Sequence, residues 1–264
     1  MQKKFFPAAL TLFFLAANLL RADTVAFFYA LEKDLDTLKA EAQPGASLKV
    51  GSRSIAMLQL GAHRVYAVKM GSGAVETATS AQALLARVRC DMAFSTGPVG
   101  GISDKLAVGT WYRVGEVVCY QKGSWTTAGF QISPAATVSL TNVAVTNLVL
   151  PELFQKVDSI RIASGEIFSA SENFRAQLRD TTGAEAVDMN LFGLTTVCND
   201  HHLPLVCWRV VSDKANDSAS EDFKKFAATY DGAGGKAVAE IIKHLPANPN
   251  SPDSYPNLKK ALEK

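Results

Sequence analysis

The sequence predicts a single three-layer α/β/α domain built on a mixed central sheet. Three observations lead there. β-rich apolar runs alternate with helical patterns along most of the chain, the arrangement that lays helices on both faces of a sheet. Two adjoining runs, Ser54–Leu60 and His63–Lys69, are joined only by Gly61-Ala62 and read as a meander, which makes the sheet mixed. The 264 residues are 48% hydrophobic and 20% charged, enough for one large core, and neither an internal repeat nor a long linker divides them.

Taken in order, the chain opens with Lys3 and Lys4, then an apolar run from Phe5 to Leu20, then small Ala22 just before Asp23. That is the pattern of a secretory signal peptide over residues 1–22. The run contains Pro7 and is short for a membrane span. Leu20 stands where a small residue is preferred, so an uncleaved anchor is the alternative. The folded domain is expected over residues 23–247, exported to a periplasmic or extracellular space without stable membrane association after cleavage. A mobile Pro/Asn/Ser tail is expected over 248–264.

Thr24–Ala30 (TVAFFYA) is the first strand, and Leu31–Leu35 opens a helix, setting Glu32 and Asp34 at a strand-to-helix junction. Pro44-Gly45 marks a turn before the meander. Met70–Gly73 breaks the pattern, and Ala74–Arg89 is an Ala- and Leu-rich helix. Asp91–Ser95 is a short strand ending in the glycine-rich turn Thr96–Gly101, where a ligand can approach the backbone closely. This turn has neither a P-loop lysine nor a dinucleotide fingerprint. Val114–Tyr120 is the next strand, Gly123–Pro151 a charge-poor excursion, and Pro151–Lys156 a short helix. Ser159–Ala163 is a strand leading into the loop Ser164–Phe168. Glu221–Leu245 is a closing amphipathic helical region interrupted around Gly232–Gly235.

The stretch that organises the rest is Ala184–Asp217: a turn, an amphipathic helix, a loop, and the apolar strand Leu203–Val211 running into Ser212-Asp213-Lys214. A strand this apolar is covered on both faces. Its carboxyl end is where open α/β sheets bind ligands. A carboxylate there serves either chemistry or a turn or helix cap, and position alone leaves both open.

Composition narrows the functional classes. Net charge is +2, and no basic run is interleaved with aromatics, so nucleic-acid binding has no support. The four cysteines, Cys90, Cys119, Cys198 and Cys207, fit an exported protein with disulfides, Cys198 and Cys207 being the more plausible pair, or else buried free thiols. His201 and His202 are adjacent and carry no metal-ligand spacing, so no metal is expected.

Five short segments, in order and spacing, resemble the purine nucleoside phosphorylase and nucleosidase superfamily, most closely its methylthioadenosine/S-adenosylhomocysteine nucleosidase branch. They are Ala30-Leu31-Glu32-Lys33-Asp34; Thr96-Gly97-Pro98-Val99-Gly100-Gly101 with the strand Val114–Val118; Ser164-Gly165-Glu166-Ile167-Phe168; Val187-Asp188-Met189-Asn190; and Arg209 to Asn216, RVVSDKAN. The resemblance implies a nucleoside phosphorylase-like fold, no cofactor, and a homodimer in which a partner loop helps cover the site. It places a general acid for the purine at Asp213 and a water-positioning carboxylate at Asp34, with Glu32 as an alternative base. It implies substrate contacts from Phe168, Met189, Asn190, Arg209, Val99, Gly100 and Phe223. N-glycoside cleavage builds a cation on the sugar and an anion on the base, so it calls for an acid and a nearby carboxylate.

This chain departs from the family pattern where Asp34 and Asn190 replace glutamates, Pro98 replaces a serine and Tyr29 a small residue. Asn190 offers a hydrogen-bond acceptor but no charge. Arg209 is expected to orient a carboxylate on the sugar side or to pair with Asp34. The expected activity is hydrolysis of the N-glycosidic bond of an adenosine-like purine nucleoside by an exported nucleosidase. The alternatives are a catalytically impaired nucleoside- or purine-binding storage protein, and a nucleoside phosphorylase. The first loop holds no arginine that could clamp phosphate, which favours water as nucleophile.

Overall fold

The computed structural model describes residues 23–140 and 148–246. The expected signal peptide, the C-terminal tail and part of the 123–151 excursion lie outside the described residues. Twelve strands are described: β1 (Thr24–Tyr29), β2 (Gln43–Val50), β3 (Arg53–Leu60), β4 (His63–Lys69), β5 (Met92–Gly101), β6 (Trp111–Cys119), β7 (Gly123–Thr126), β8 (Gly129–Ile132), β9 (Thr137–Ser139), β10 (Ser159–Ser164), β11 (Ala186–Asp188) and β12 (Leu205–Asp213). The helices are α1 (Glu32–Ala40), α2 (Ala74–Leu85), α3 (Glu152–Gln155), α4 (Glu172–Thr182), α5 (Leu191–Asp200), α6 (Ala219–Thr229) and α7 (Ala233–Lys243).

Ten strands form one mixed sheet in the order β11-β10-β6-β12-β5-β1-β4-β3-β2, with β9 on β6, while β7 and β8 make a separate hairpin. β1 runs parallel to β4 and β5, and β12 runs parallel to β5, whereas β2, β3 and β4 form the expected antiparallel meander. β11 also pairs antiparallel with β5, Val187 opposite Gly100 and Ala186 opposite Gly101. This pairing folds half the sheet back on itself. It gathers the ends of β5, β11 and β12 at one place.

The layers follow from the two-residue period of a strand. In β1, Val25, Phe27 and Tyr29 join a core under α1 and α7, while Ala26 and Phe28 join the opposite core under α2 and α5. β12 is buried along its whole length, as a strand covered on both faces must be. Trp208 stacks on Phe154 of α3 at 4.3 Å between centroids, and Cys207 faces the α2–α5 side.

Several boundaries differ from the sequence expectation. β2 begins at Gln43 and passes through Pro44-Gly45, where a turn was expected; an irregularity between Pro44 and Ser47 absorbs the proline, and a Cβ on Gly45 would come within 2.6 Å of the Met57 carbonyl oxygen. The glycines at 97, 100 and 101 belong to β5, because β11 and β12 supply partners that continue the strand to Gly101. α4 and the short β11 were not anticipated. All four cysteines are free thiols, so the Cys198–Cys207 disulfide is not present. Both are buried in the same core; burial raises both thiols, Cys207 to about 12.

Candidate active site

The convergence of strand ends opens a cavity of about 230 Å³, open to solvent on one side and lined by β12, β5 and β11 and by the segments around 69–72 and 167–169. Asp213 is the last residue of β12 and lies on this lining, 2% exposed. Its Oδ1 accepts the Ala215 amide at 2.8 Å, a bond that holds Ala215 in the left-handed region at φ 52°. Its Oδ2 lies 2.7 Å from Ser212 Oγ, which in turn lies 3.1 Å from the Val99 carbonyl. A carbonyl only accepts, so when Ser212 donates to Val99 the contact with Asp213 is closed by a proton on the carboxyl. Burial pushes Asp213 above the usual carboxylate range, against the opposing pull of its Ser212 and Ala215 contacts. The result is a carboxyl that keeps its proton to higher pH than a free aspartate.

Val99, Gly100, Phe168, Met189, Asn190 and Phe223 join Asp213 on the lining. Gly100 has no room for a side chain: a Cβ there would meet Ala215 Cβ and Asp213 Oδ1, each at 3.0 Å. Phe168 packs edge-on against Phe223 of α6 with centroids 5.9 Å apart, forming an apolar flap over one side. Asn190 donates from Nδ2 to the Gly71 carbonyl at 2.5 Å. That bond ties β11 to the turn that precedes α2.

Two expected site residues do not reach the cavity. Asp34 is 0% exposed and absent from the lining; its Oδ1 accepts from the Tyr230 hydroxyl at 2.6 Å and the Gly235 amide at 3.0 Å, and its Oδ2 from Thr96 Oγ1 at 2.8 Å. The short aspartate side chain, fixed by α7 and β5, stays behind the wall. Burial raises its pKa more than these donors lower it. Arg209 is also 0% exposed, donates to Ser95 Oγ and the Trp208 carbonyl, and pairs with Asp188 at 3.6 Å rather than with Asp34. Arg209 therefore acts on the cavity only through Asp188, which burial likewise raises.

Asp188, Lys69, Ser72 and Glu166 were not singled out in the sequence. Asp188 lines the cavity and accepts the amides of Asn190 and Leu191, capping α5. Lys69 lines the mouth, half-exposed, with Glu32 at 2.9 Å. Glu166 accepts the Val75 amide at the start of α2 at 3.0 Å. Its carboxylate occupies the space that a Cβ on Gly73 (φ 132°) would take. Among the described residues no group of His, Cys, Asp and Glu is placed to hold a metal ion. His201 instead contacts Gln82 at 2.9 Å, and His202 sits in a left-handed turn at φ 52°.

With this geometry in hand, comparison with known proteins is decisive for the family. The family described as "Phosphorylase superfamily" matches residues 24–243, spanning β1 to the end of α7. The chain belongs to the phosphorylase superfamily. It is 26% identical over 227 residues to the 5′-methylthioadenosine/S-adenosylhomocysteine nucleosidase of Haemophilus influenzae, covering 82% of this chain and 97% of that one. Among solved structures it is similar to the nucleosidase of Neisseria meningitidis in complex with methylthio-immucillin-A, at 25% identity and a TM-score of 0.72, covering 84% of this chain and 100% of that one. The fold also matches that of the Colwellia psychrerythraea nucleosidase, at a TM-score of 0.74 and 23% identity over 86% of this chain and 97% of that one. The mixed sheet and its flanking helices are thus the superfamily's architecture.

Proposed function

We propose that this chain is a purine nucleosidase of the methylthioadenosine/S-adenosylhomocysteine type, hydrolysing the N-glycosidic bond of an adenosine-like nucleoside. The observation that carries the reading is Asp213: a buried carboxyl with a raised pKa at the end of the central strand, on the wall of a solvent-open cavity. As the bond breaks, negative charge gathers on the base, and Asp213 donates its proton there. The apolar flap of Phe168 and Phe223 suits a flat aromatic base. Asp34, expected to position the water, serves in this reading as a positioning residue that fixes Thr96 and the start of α7.

Water is favoured over phosphate because Lys69, already paired with Glu32, is the one Lys or Arg among the described lining residues. The test is release of free base from methylthioadenosine, adenosine, inosine and 5′-deoxyadenosine, with and without phosphate. Release without phosphate that Asp213→Asn abolishes supports the nucleosidase; release only with phosphate makes the protein a phosphorylase. Asp34→Asn is expected to retain most of the release, and its loss with an unchanged melting temperature would make Asp34 the water-activating group.

A second reading, a binding or storage protein, is favoured by one observation: Asn190 brings no charge to the cavity and commits its Nδ2 to Gly71. Nucleoside binding without any release would establish it. We further propose export and homodimer formation. The charged and apolar segment before Asp23 supports the first, checked by N-terminal sequencing of the protein in exported fractions. Exposed Trp125 and Phe130 on the β7–β8 hairpin support the second, checked by light scattering.

A further inference from the structure

The cavity's inventory of carboxyl groups bears on which sugar it takes. Sites that cleave glycosidic bonds ordinarily use two carboxyl groups, an acid at the leaving group and an anion beside the sugar, where positive charge develops. Asp213 fits the first task. Among the described residues no carboxylate on the lining is free for the second. Asp188, the other carboxylate on the lining, has a side chain 1% exposed; it is occupied by the amides of Asn190 and Leu191 and by Arg209 Nε at 3.6 Å. Asp34 is sealed behind the wall by Tyr230, Thr96 and Gly235. Glu166 is off the lining and held by the start of α2, and Glu32 is off the lining and paired with Lys69.

With Asp213 at the base, the sugar is left to the wall formed by Gly71, Ser72, Met189 and Asn190. The side chain of this wall nearest in kind to a carboxylate is Asn190. Its Nδ2 gives one of its two protons to the Gly71 carbonyl at 2.5 Å, so what remains for the sugar, Oδ1 and the second N–H, is uncharged. Such a wall brings no negative charge to a developing sugar cation. A 2′-hydroxyl withdraws electrons from the anomeric carbon and destabilises that cation. Without it the cation forms more easily and only the 3′-hydroxyl needs a partner.

We propose that purine 2′-deoxyribonucleosides are the preferred substrates of this site and that Asn190 sets the preference. The inference rests on the nucleosidase reading above. In the reaction, the bond from the anomeric carbon to the base nitrogen breaks and its electron pair leaves with the base. Asp213 gives a proton to the base, water adds to the anomeric carbon, and the proton that water loses restores Asp213. The products are free purine and 2-deoxyribose, with no change of oxidation state.

The experiment measures kcat/KM for base release from 2′-deoxyadenosine and adenosine, and from methylthioadenosine and its 2′-deoxy analogue, with the purified wild-type protein and with Asn190→Glu. The expected wild-type result is a preference of about tenfold or more for each 2′-deoxy substrate. Asn190→Glu is expected to raise the riboside values and narrow the ratio. Equal rates, or faster ribosides, in the wild type overturn the sugar preference and leave the nucleosidase standing. A preference unchanged in Asn190→Glu overturns the role of Asn190. Release from none of the four substrates overturns both the preference and the activity it rests on.

Discussion

Replacing Tyr230 with Phe tests the buried polar cluster behind the cavity. The hydroxyl donates to Asp34 Oδ1 at 2.6 Å and accepts the Gly234 amide at 2.9 Å, while the ring stacks on Phe226 with centroids 5.4 Å apart. Phenylalanine keeps the ring contact and removes only the oxygen. A hydrogen bond to a charged group contributes about 1.5–3 kcal/mol. The expected destabilisation is therefore about 2 kcal/mol, which lowers the melting temperature of a domain this size by about 4–8 °C. The pH dependence gives a second handle. The folded pKa of Asp34 is raised by burial, so the stability linked to its proton is present below the unfolded value and is lost as pH rises through the folded one. Removing a donor that favours the charged form raises that pKa further. The penalty of Tyr230→Phe should then be smaller at acid pH, where Asp34 is neutral in both proteins, and larger above its titration. Thermal unfolding of both proteins at several pH values reads this directly. A melting shift below about 1 °C, or a penalty that does not grow with pH, would refute the coupling between Tyr230 and Asp34.

Three other outcomes follow from the same geometry. Arg209→Leu leaves Asp188 buried without its cation and should cost about 3–5 kcal/mol in urea unfolding, since half of a buried ion pair is worse than none. Glu166→Ala should cost only about 0.3–1 kcal/mol in stability, the scale of a carboxylate at a helix start, but should raise KM more than it lowers kcat by freeing the loop that carries Phe168. Asp213 must be protonated to act as an acid, and burial raises its pKa, so kcat/KM should be flat at acid pH and decline on the alkaline side. Any residual activity of Asp213→Asn should lack that limb.

The parts of the fold that were legible in the sequence are those whose signal is local. The apolar runs of β1 and β12 and the meander of β3 and β4 each state their burial pattern within a few residues. α4 escaped because its inward stripe of Arg175, Leu178 and Thr182 is mostly polar. Its ends were nonetheless marked: the Ser171 side chain accepts the Phe174 amide, and Gly183 closes the helix at φ 63°. β11 is three residues long, too short for any periodicity, and exists because β10 and β5 offer partners on both sides.

The site divides along the same line. Whether a residue sits at a strand end is a local property, as for Asp213 at the end of β12; Val99, Gly100, Phe168, Met189 and Asn190, named through the resemblance, also lie on the cavity lining. Which way a buried charge turns is not local. Asp34 is claimed by Thr96, Tyr230 and Gly235, up to 201 residues away in sequence, and Arg209 by Ser95 and Asp188. With a carboxylate one methylene shorter at position 34, these partners hold the group behind the wall instead of at its surface. The uncharged Asn190 points the same way in the proposed reading, where both residues withhold anionic help from the sugar side and Asp213 stays at the base side. A chain that had merely decayed would have no reason to keep Asp213 buried, hydrogen-bonded and aligned with the cavity. In the proposed reading, the acid at the base is retained and the demand on the sugar has changed.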